Sequence, residues 1–311
     1  MSMEFSAKAS CQQYFSKAHD MVRRSVKEFV DKEVKPCIDD WEEAGAFPRE
    51  IYKKAGDVGI LGIGYPEELG GTPGDIFFTI AASEELMRSG SGGFVAGLGS
   101  LHIALPPILR RGTEEQKRRF VAPVIAGERI AALAVTEPGG GSDVSNLATT
   151  AVRDGDHYIV NGGKTFITSG TRADQITCAV RTGDPGAHGI SMLVIESDTP
   201  GYSVSTPLKK TGWWASDTAE IFFDDCRVPA ANLIGEENQG FYAIMENFQG
   251  ERLSLAIMAY MTAQMALEEA QAYAKERMAF GKPLTGFQVT RHKLVDMATL
   301  VDVAREYTWR V

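Results

Sequence analysis

The sequence predicts an α+β protein of several domains. A helical N-terminal domain is expected over residues 1–130, a β-barrel-like middle domain over 131–236, and a helical bundle over 237–311. Three observations carry this reading. Apolar residues recur at helical spacing as far as Ile130, short apolar runs separated by Gly, Pro and Asp follow, and the helical period returns at Phe241.

In the first region Val22, Val26, Phe29, Val30 and Val34 share one helical face. Asp20 is the expected N-cap of that helix, and Pro36 limits it. Pro48 stands in the first turn of a second helix. Residues 64–74 are dense in turn formers and read as a loop. Residues 76–87 and 113–125 read as further helices, the latter opened by a capping box at Thr113 and Gln116.

In the middle region Asn161-Gly162 separates two strand-like runs and predicts a two-residue hairpin. Further strands are expected at 175–180, 190–195 and 219–223, forming a compact barrel or sandwich and not a parallel sheet. Phe241 to Arg277 reads as one long helix, or as two if Gly250 weakens it. Residues 280–284 break the pattern, and a last helix runs from near Gly286 to Val311. That helix meets no stop signal, so the chain is expected to be incomplete there.

Composition narrows the function classes. Hydrophobic residues make up 44% and charged residues 23%, as in globular proteins, and the formal net charge is −9. An acidic chain is a poor partner for nucleic acid. No apolar run is long enough to span a bilayer, and the N-terminus lacks the pattern of a signal or transit peptide. A cytoplasmic location is expected. Cys11, Cys37, Cys178 and Cys226 are scattered and read as reduced thiols; with five dispersed histidines they fit no metal-ligand spacing, so no metal is expected. No glycine fingerprint follows a first strand, which leaves a Rossmann fold unsupported.

The segment richest in chemistry is residues 134–143, with consecutive Gly139, Gly140 and Gly141 flanked by Thr136 and Ser142. Glycines let a backbone approach a ligand closely, and N–H and hydroxyl groups there suit a flavin edge or a pyrophosphate. The residues alone fit a flexible turn at a domain junction equally well. This segment resembles the first signature of the acyl-CoA dehydrogenases. Phe166-Ile167-Thr168 is similar to the family's flavin-contacting strand, with Phe where Trp is frequent. Residues 216–229, 235–241 and 277–284 with Gln288 resemble further segments of the family in the same order.

The resemblance implies an FAD enzyme that desaturates an acyl-CoA thioester between its α and β carbons. Electrons would pass to an electron-transferring flavoprotein, in fatty-acid β-oxidation, from a homo-oligomer built as a dimer of dimers. Leu133, Val135, Thr136, Gly141, Ser142, Phe166, Ile167 and Thr168 are implied to hold FAD, with Arg277, Phe280 and Gln288 reaching it from a neighbouring subunit. Ser142, Gln249 and Arg252 are implied to contact substrate, although Arg252 equally suits a helix ion pair.

Glu251, in Gly250-Glu251-Arg252-Leu253, matches the base that a minority of the family, including long-chain and isovaleryl types, carry on this helix. By composition alone a helical Glu most often faces solvent. The surrounding stretch leans toward a medium or long acyl chain. Two other readings share these residues: an acyl-CoA oxidase on the same fold, and a catalytically silent acyl-CoA binder or assembly partner.

Overall fold

The structure, a computed structural model, describes residues 13–311; Cys11 and the extreme N-terminus lie outside the described residues. In chain order the helices are α1 (Lys17–Phe29), α2 (Ile38–Ala44), α3 (Glu50–Asp57), α4 (Ile76–Met87), α5 (Gly92–Leu98), α6 (Leu101–Ala104), α7 (Pro106–Arg111), α8 (Glu114–Phe120), α9 (Ala122–Ile125), α10 (Gly240–Glu276) and α11 (Gln288–Arg310). The strands are β1 (Ala131–Ala134), β2 (Thr150–Asp154), β3 (His157–Thr168), β4 (Gln175–Arg181), β5 (Ile190–Glu196), β6 (Tyr202–Val204), β7 (Thr218–Pro229), β8 (Leu233–Ile234), β9 (Met278–Ala279) and β10 (Lys282–Pro283). No single helix among the described residues is long and apolar enough to cross a membrane.

Two compact units emerge. The larger comprises residues 36–74 and 91–251, the smaller the residues up to 35, 75–90 and 252–311. In the larger unit an eight-stranded sheet runs in the order β6-β7-β3-β2-β4-β5-β8, with β1 added beside β4. Tyr158 and Val160 of β3, Ile176, Cys178 and Val180 of β4, and Ile221 and Phe223 of β7 point into a single buried cluster. One sheet can aim all its strands at one core only by curling, which gives the barrel-like form. Most pairings are antiparallel, but β1 runs parallel to β4 from Ala131↔Gln175 to Ala134↔Cys178. The β2–β3 hairpin intervenes between them in sequence and lets β4 return alongside β1.

The Asn161-Gly162 hairpin is also overturned. β3 is continuous through these residues, and a register shift against β7 falls between Val160 and Gly162. The Asn161 side chain caps a bulge instead: its Oδ1 accepts from the Asp225 N–H at 2.8 Å and its Nδ2 donates to Asp225 Oδ1 at 3.0 Å. Gly162 has φ 138°, and a Cβ there would lie 2.8 Å from Thr149 Cα. The true turn is Gly155-Asp156 between β2 and β3, with Gly155 at φ 60°. Asn-Gly supplies the same positive-φ tolerance to either feature, so the local signal does not separate them.

The capping box at α8 forms as expected: the Gln116 N–H donates to Thr113 Oγ1 at 3.2 Å and the Thr113 N–H to Gln116 Oε1 at 2.9 Å. In the smaller unit α1 begins four residues before the expected helix start, at Lys17, and its N-cap is Ser16, not Asp20. The Ser16 N–H donates to His19 Nδ1 at 2.9 Å, a reciprocal cap that a Ser/Glu rule does not flag. Buried Glu84 of α4 receives Arg23 at 2.5 Å and the Tyr260 hydroxyl at 2.6 Å. Leu267 and Ala274 of α10 meet Leu294 and Ala298 of α11 in a second apolar cluster. α10 runs unbroken for 37 residues through Gly250, which is exposed.

Candidate active site

The glycine-rich segment leaves β1 and enters a tight turn in which Glu137 and Gly140 exchange N–H···O bonds of 3.0 Å. Gly139, Gly140 and Gly141 line a cleft of about 710 Å³, together with Val135 and Gly163. Neither Gly139 nor Gly140 has positive φ, and a Cβ on either would meet nothing within 4 Å. The protein's own packing therefore does not demand glycine at these two positions, and without side chains their backbone is open to close approach. Among the described residues the N–H groups of Gly139, Gly141 and Ser142 find no acceptor.

Two residues that the sequence reading missed hold this segment. Lys164 of β3 is fully buried, and its Nζ donates to Glu137 Oε1 at 2.7 Å and to the Val135 carbonyl at 3.1 Å. The Glu137 carboxylate also accepts from the N–H groups of Ala148 (2.6 Å) and Thr149 (2.9 Å). Burial alone raises a carboxyl, but Lys164 and these bonds outweigh it and hold Glu137 below its ordinary value of 4.5. The signal was present in the sequence: a lysine at an inward position of an alternating strand needs a buried partner.

The predicted strand residues follow on β3. A register shift between Lys164 and Ile167 puts Phe166 at φ 59°, and its ring is 70% exposed. An aromatic held at positive φ with its face bare is strained, and such strain marks functional positions. Ile167 is buried in the sheet core, Thr168 is half-buried, and both pair with β7. Thr136 and Thr165 bridge the two segments: the Thr165 N–H donates to the Thr136 carbonyl at 2.9 Å, and Thr136 Oγ1 donates to the Thr165 carbonyl at 2.5 Å. That donation leaves the Thr136 hydroxyl only lone pairs to offer a ligand N–H. Leu133 is half-buried on β1, and Ser142 is exposed at the glycine turn.

Glu251 is half-buried on α10, while Gln249 is exposed one residue before Gly250. Asn247, one turn earlier and 4% exposed, donates from Nδ2 to Glu251 Oε1 at 2.8 Å. Exposed Arg252 opens the stretch of α10 that belongs to the smaller unit. Arg277, Phe280 and Gln288 also stand in the smaller unit and are exposed, Phe280 at 96% with φ 49°. The structure thus gathers the 133–168 residues around β1 and β3, and displays the 277–288 residues on a separate unit. Among the described residues no group of three His, Cys, Asp or Glu is placed to hold a metal.

The comparisons with known proteins agree across the chain. The acyl-CoA dehydrogenase N-terminal, middle and C-terminal domain models match residues 16–128, 132–226 and 238–311. The long-chain specific mitochondrial acyl-CoA dehydrogenase of Rattus norvegicus is 40% identical over 296 residues, covering 94% of this chain and 69% of that protein. The crystal structure of a probable acyl-CoA dehydrogenase from Mycobacterium abscessus superposes with a TM-score of 0.93 at 50% identity, over 95% of this chain and 79% of that one. A Bacillus anthracis acyl-CoA dehydrogenase complexed with FAD gives 0.90 at 31% identity, over 98% and 52%. This chain belongs to the acyl-CoA dehydrogenase family.

Proposed function

We propose that this protein is an oxidoreductase acting on a CH–CH bond: it binds FAD and an acyl-CoA thioester and removes one hydrogen each from the α and β carbons. FAD, when bound, accepts the β-hydrogen as hydride. Glu251 takes the α-proton, so that the thioester becomes the trans-2-enoyl-CoA. The exposed face of Phe166, the open glycines 139 and 140 and the unmatched N–H groups beside them suit a planar ring with a pyrophosphate tail. Leu133, Val135, Thr136, Ile167 and Thr168 complete that surface, and Arg277, Phe280 and Gln288 serve the cofactor of a neighbouring copy in a dimer of dimers.

Ser142, Gln249 and Arg252 contact the CoA portion, and the acyl chain is of medium or long length. Reducing equivalents leave to an electron-transferring flavoprotein in the cytoplasm, in fatty-acid β-oxidation. The observation that supports the base assignment is the half-buried Glu251 carboxylate, which accepts from the buried Asn247 amide. A base so placed must be ionised to take the proton, and partial burial restricts competing water.

Anaerobic addition of a medium- or long-chain acyl-CoA to the FAD-loaded protein tests the reading. Flavin absorbance is expected to bleach in the parent. In Glu251→Gln bleaching is expected to disappear while ligand binding persists. Bleaching in both proteins places the base elsewhere.

A further inference from the structure

The Asn247 side chain joins two acceptors. Its Nδ2 donates to the Ile103 carbonyl at 2.9 Å and to Glu251 Oε1 at 2.8 Å. An ionised carboxylate and a backbone carbonyl accept only, so the amide nitrogen must face both. With one hydrogen directed to Ile103, the other is aimed at the carboxylate.

Ile103 is itself anchored. It lies on α6, and the next carbonyl, that of Ala104, accepts from Thr177 Oγ1 of β4 at 2.7 Å. Thr177 pairs in register with Leu133 of β1, the strand that runs into the glycine-rich segment. A continuous set of bonds therefore links the Glu251 carboxylate to the strand that presents the candidate cofactor surface. A carboxylate on a free helical side chain samples several rotamers; one held this way does not.

We infer that Asn247 is a positioning residue: it orients the Glu251 carboxylate against the sheet and stabilises its ionised form. The inference rests on Glu251 being the base. Glu246, on the same helix, pairs with Arg111 (3.2 Å) and Arg110 (3.8 Å) of α7. His102, beside Ile103 on α6, is pulled down to about 4 by burial and is neutral at working pH. Arg252 follows Glu251 on α10 and is exposed.

The test compares the parent, Asn247→Leu, Asn247→Asp and Glu251→Gln as FAD-loaded proteins. Asn247→Leu removes both donations at similar volume, and the near-isosteric Asn247→Asp sets oxygen against oxygen, so it carries the test if the Leu variant fails to fold. Losing a hydrogen bond to the charged form raises the Glu251 pKa. The acid limb of the bleaching rate should therefore move up by about one pH unit in Asn247→Leu, and further in Asn247→Asp. The rate on the plateau should fall about tenfold as the carboxylate loses its aim, with acyl-CoA affinity little changed.

A readout free of turnover accompanies it: infrared titration of the carboxyl stretch, assigned by difference from Glu251→Gln, should show the same upward shift without substrate. If Glu251→Gln is inactive while both Asn247 variants keep the parent's rate, acid limb and infrared titration, the inference is overturned and the base assignment stands. If Glu251→Gln still bleaches, both fall.

Discussion

Lys164 and Glu137 show how much one buried pair can decide. Lys164 has no solvent contact, so its charge is tolerated only because Glu137 and the Val135 carbonyl receive it. Lys164→Met leaves Glu137 ionised, buried and short of its cation, and is expected to cost about 3–5 kcal/mol in urea unfolding. The pH dependence follows from the depressed Glu137 carboxyl. A carboxyl lowered on folding contributes stability above its unfolded value, and that contribution is lost as pH falls through the folded value. The stability gap between the parent and Glu137→Gln should thus be full near neutrality and close on acidification below about 4.5. A gap that is constant with pH would show that Glu137 acts by shape alone. Neither residue was read as functional from the sequence: an inward lysine calls for a buried partner, but nothing local identifies Glu137, 27 positions away, as that partner.

At the scale of elements, β3 is the case where local rules and the fold part company. Asn161-Gly162 carries the strongest short-range hairpin signal in the chain, yet the strand passes straight through it. The decision lies with β7, whose Asp225 sits at φ 47° opposite Asn161 and completes the bulge. Gly162→Ala is expected to destabilise by on the order of 2 kcal/mol, since the new methyl meets Thr149 and the φ is one that side chains rarely adopt. Thermal unfolding measures this; an unchanged midpoint would mean that the backbone before β2 yields easily at Thr149. By contrast α4 and α11 were legible almost to the residue, and so was the start of α8, because caps, breakers and the 3.6 period act within a few positions; the expected 113–125 stretch divides at Val121 into α8 and α9.

At the scale of the whole molecule, the two units are assembled from interleaved stretches of chain. The smaller unit draws on residues up to 35, 75–90 and 252–311, so α1 and α4 share a unit with a segment more than 150 residues downstream. Glu84 illustrates the dependence: its buried carboxylate has Tyr260 as one of its two partners. Ending the chain after Glu251 should leave the sheet of the larger unit folded, with its strand signature in circular dichroism. It should also open α1 to trypsin at Arg23, Arg24 and Lys27. Equal resistance of α1 in the full and shortened chains would show that α1 and α4 hold each other without α10. Cys178 and Cys226 belong to the larger unit's core, where burial pushes their thiols up to about 12 and 11 and keeps them unreactive.

By itself the sequence determined the succession of helical, strand and helical regions, the family resemblance and the residues on which that resemblance rests, because periodicity and signature segments are local properties of the chain. Only the tertiary structure decided that Asn161-Gly162 is a bulge, that β1 runs parallel to β4, that Phe166 is held outward at positive φ, and that Lys164 and Asn247 stand behind the glycine turn and Glu251. Each of these depends on a partner far away in sequence, and a hydrogen bond or steric contact between distant positions leaves no trace in the order of residues around either one.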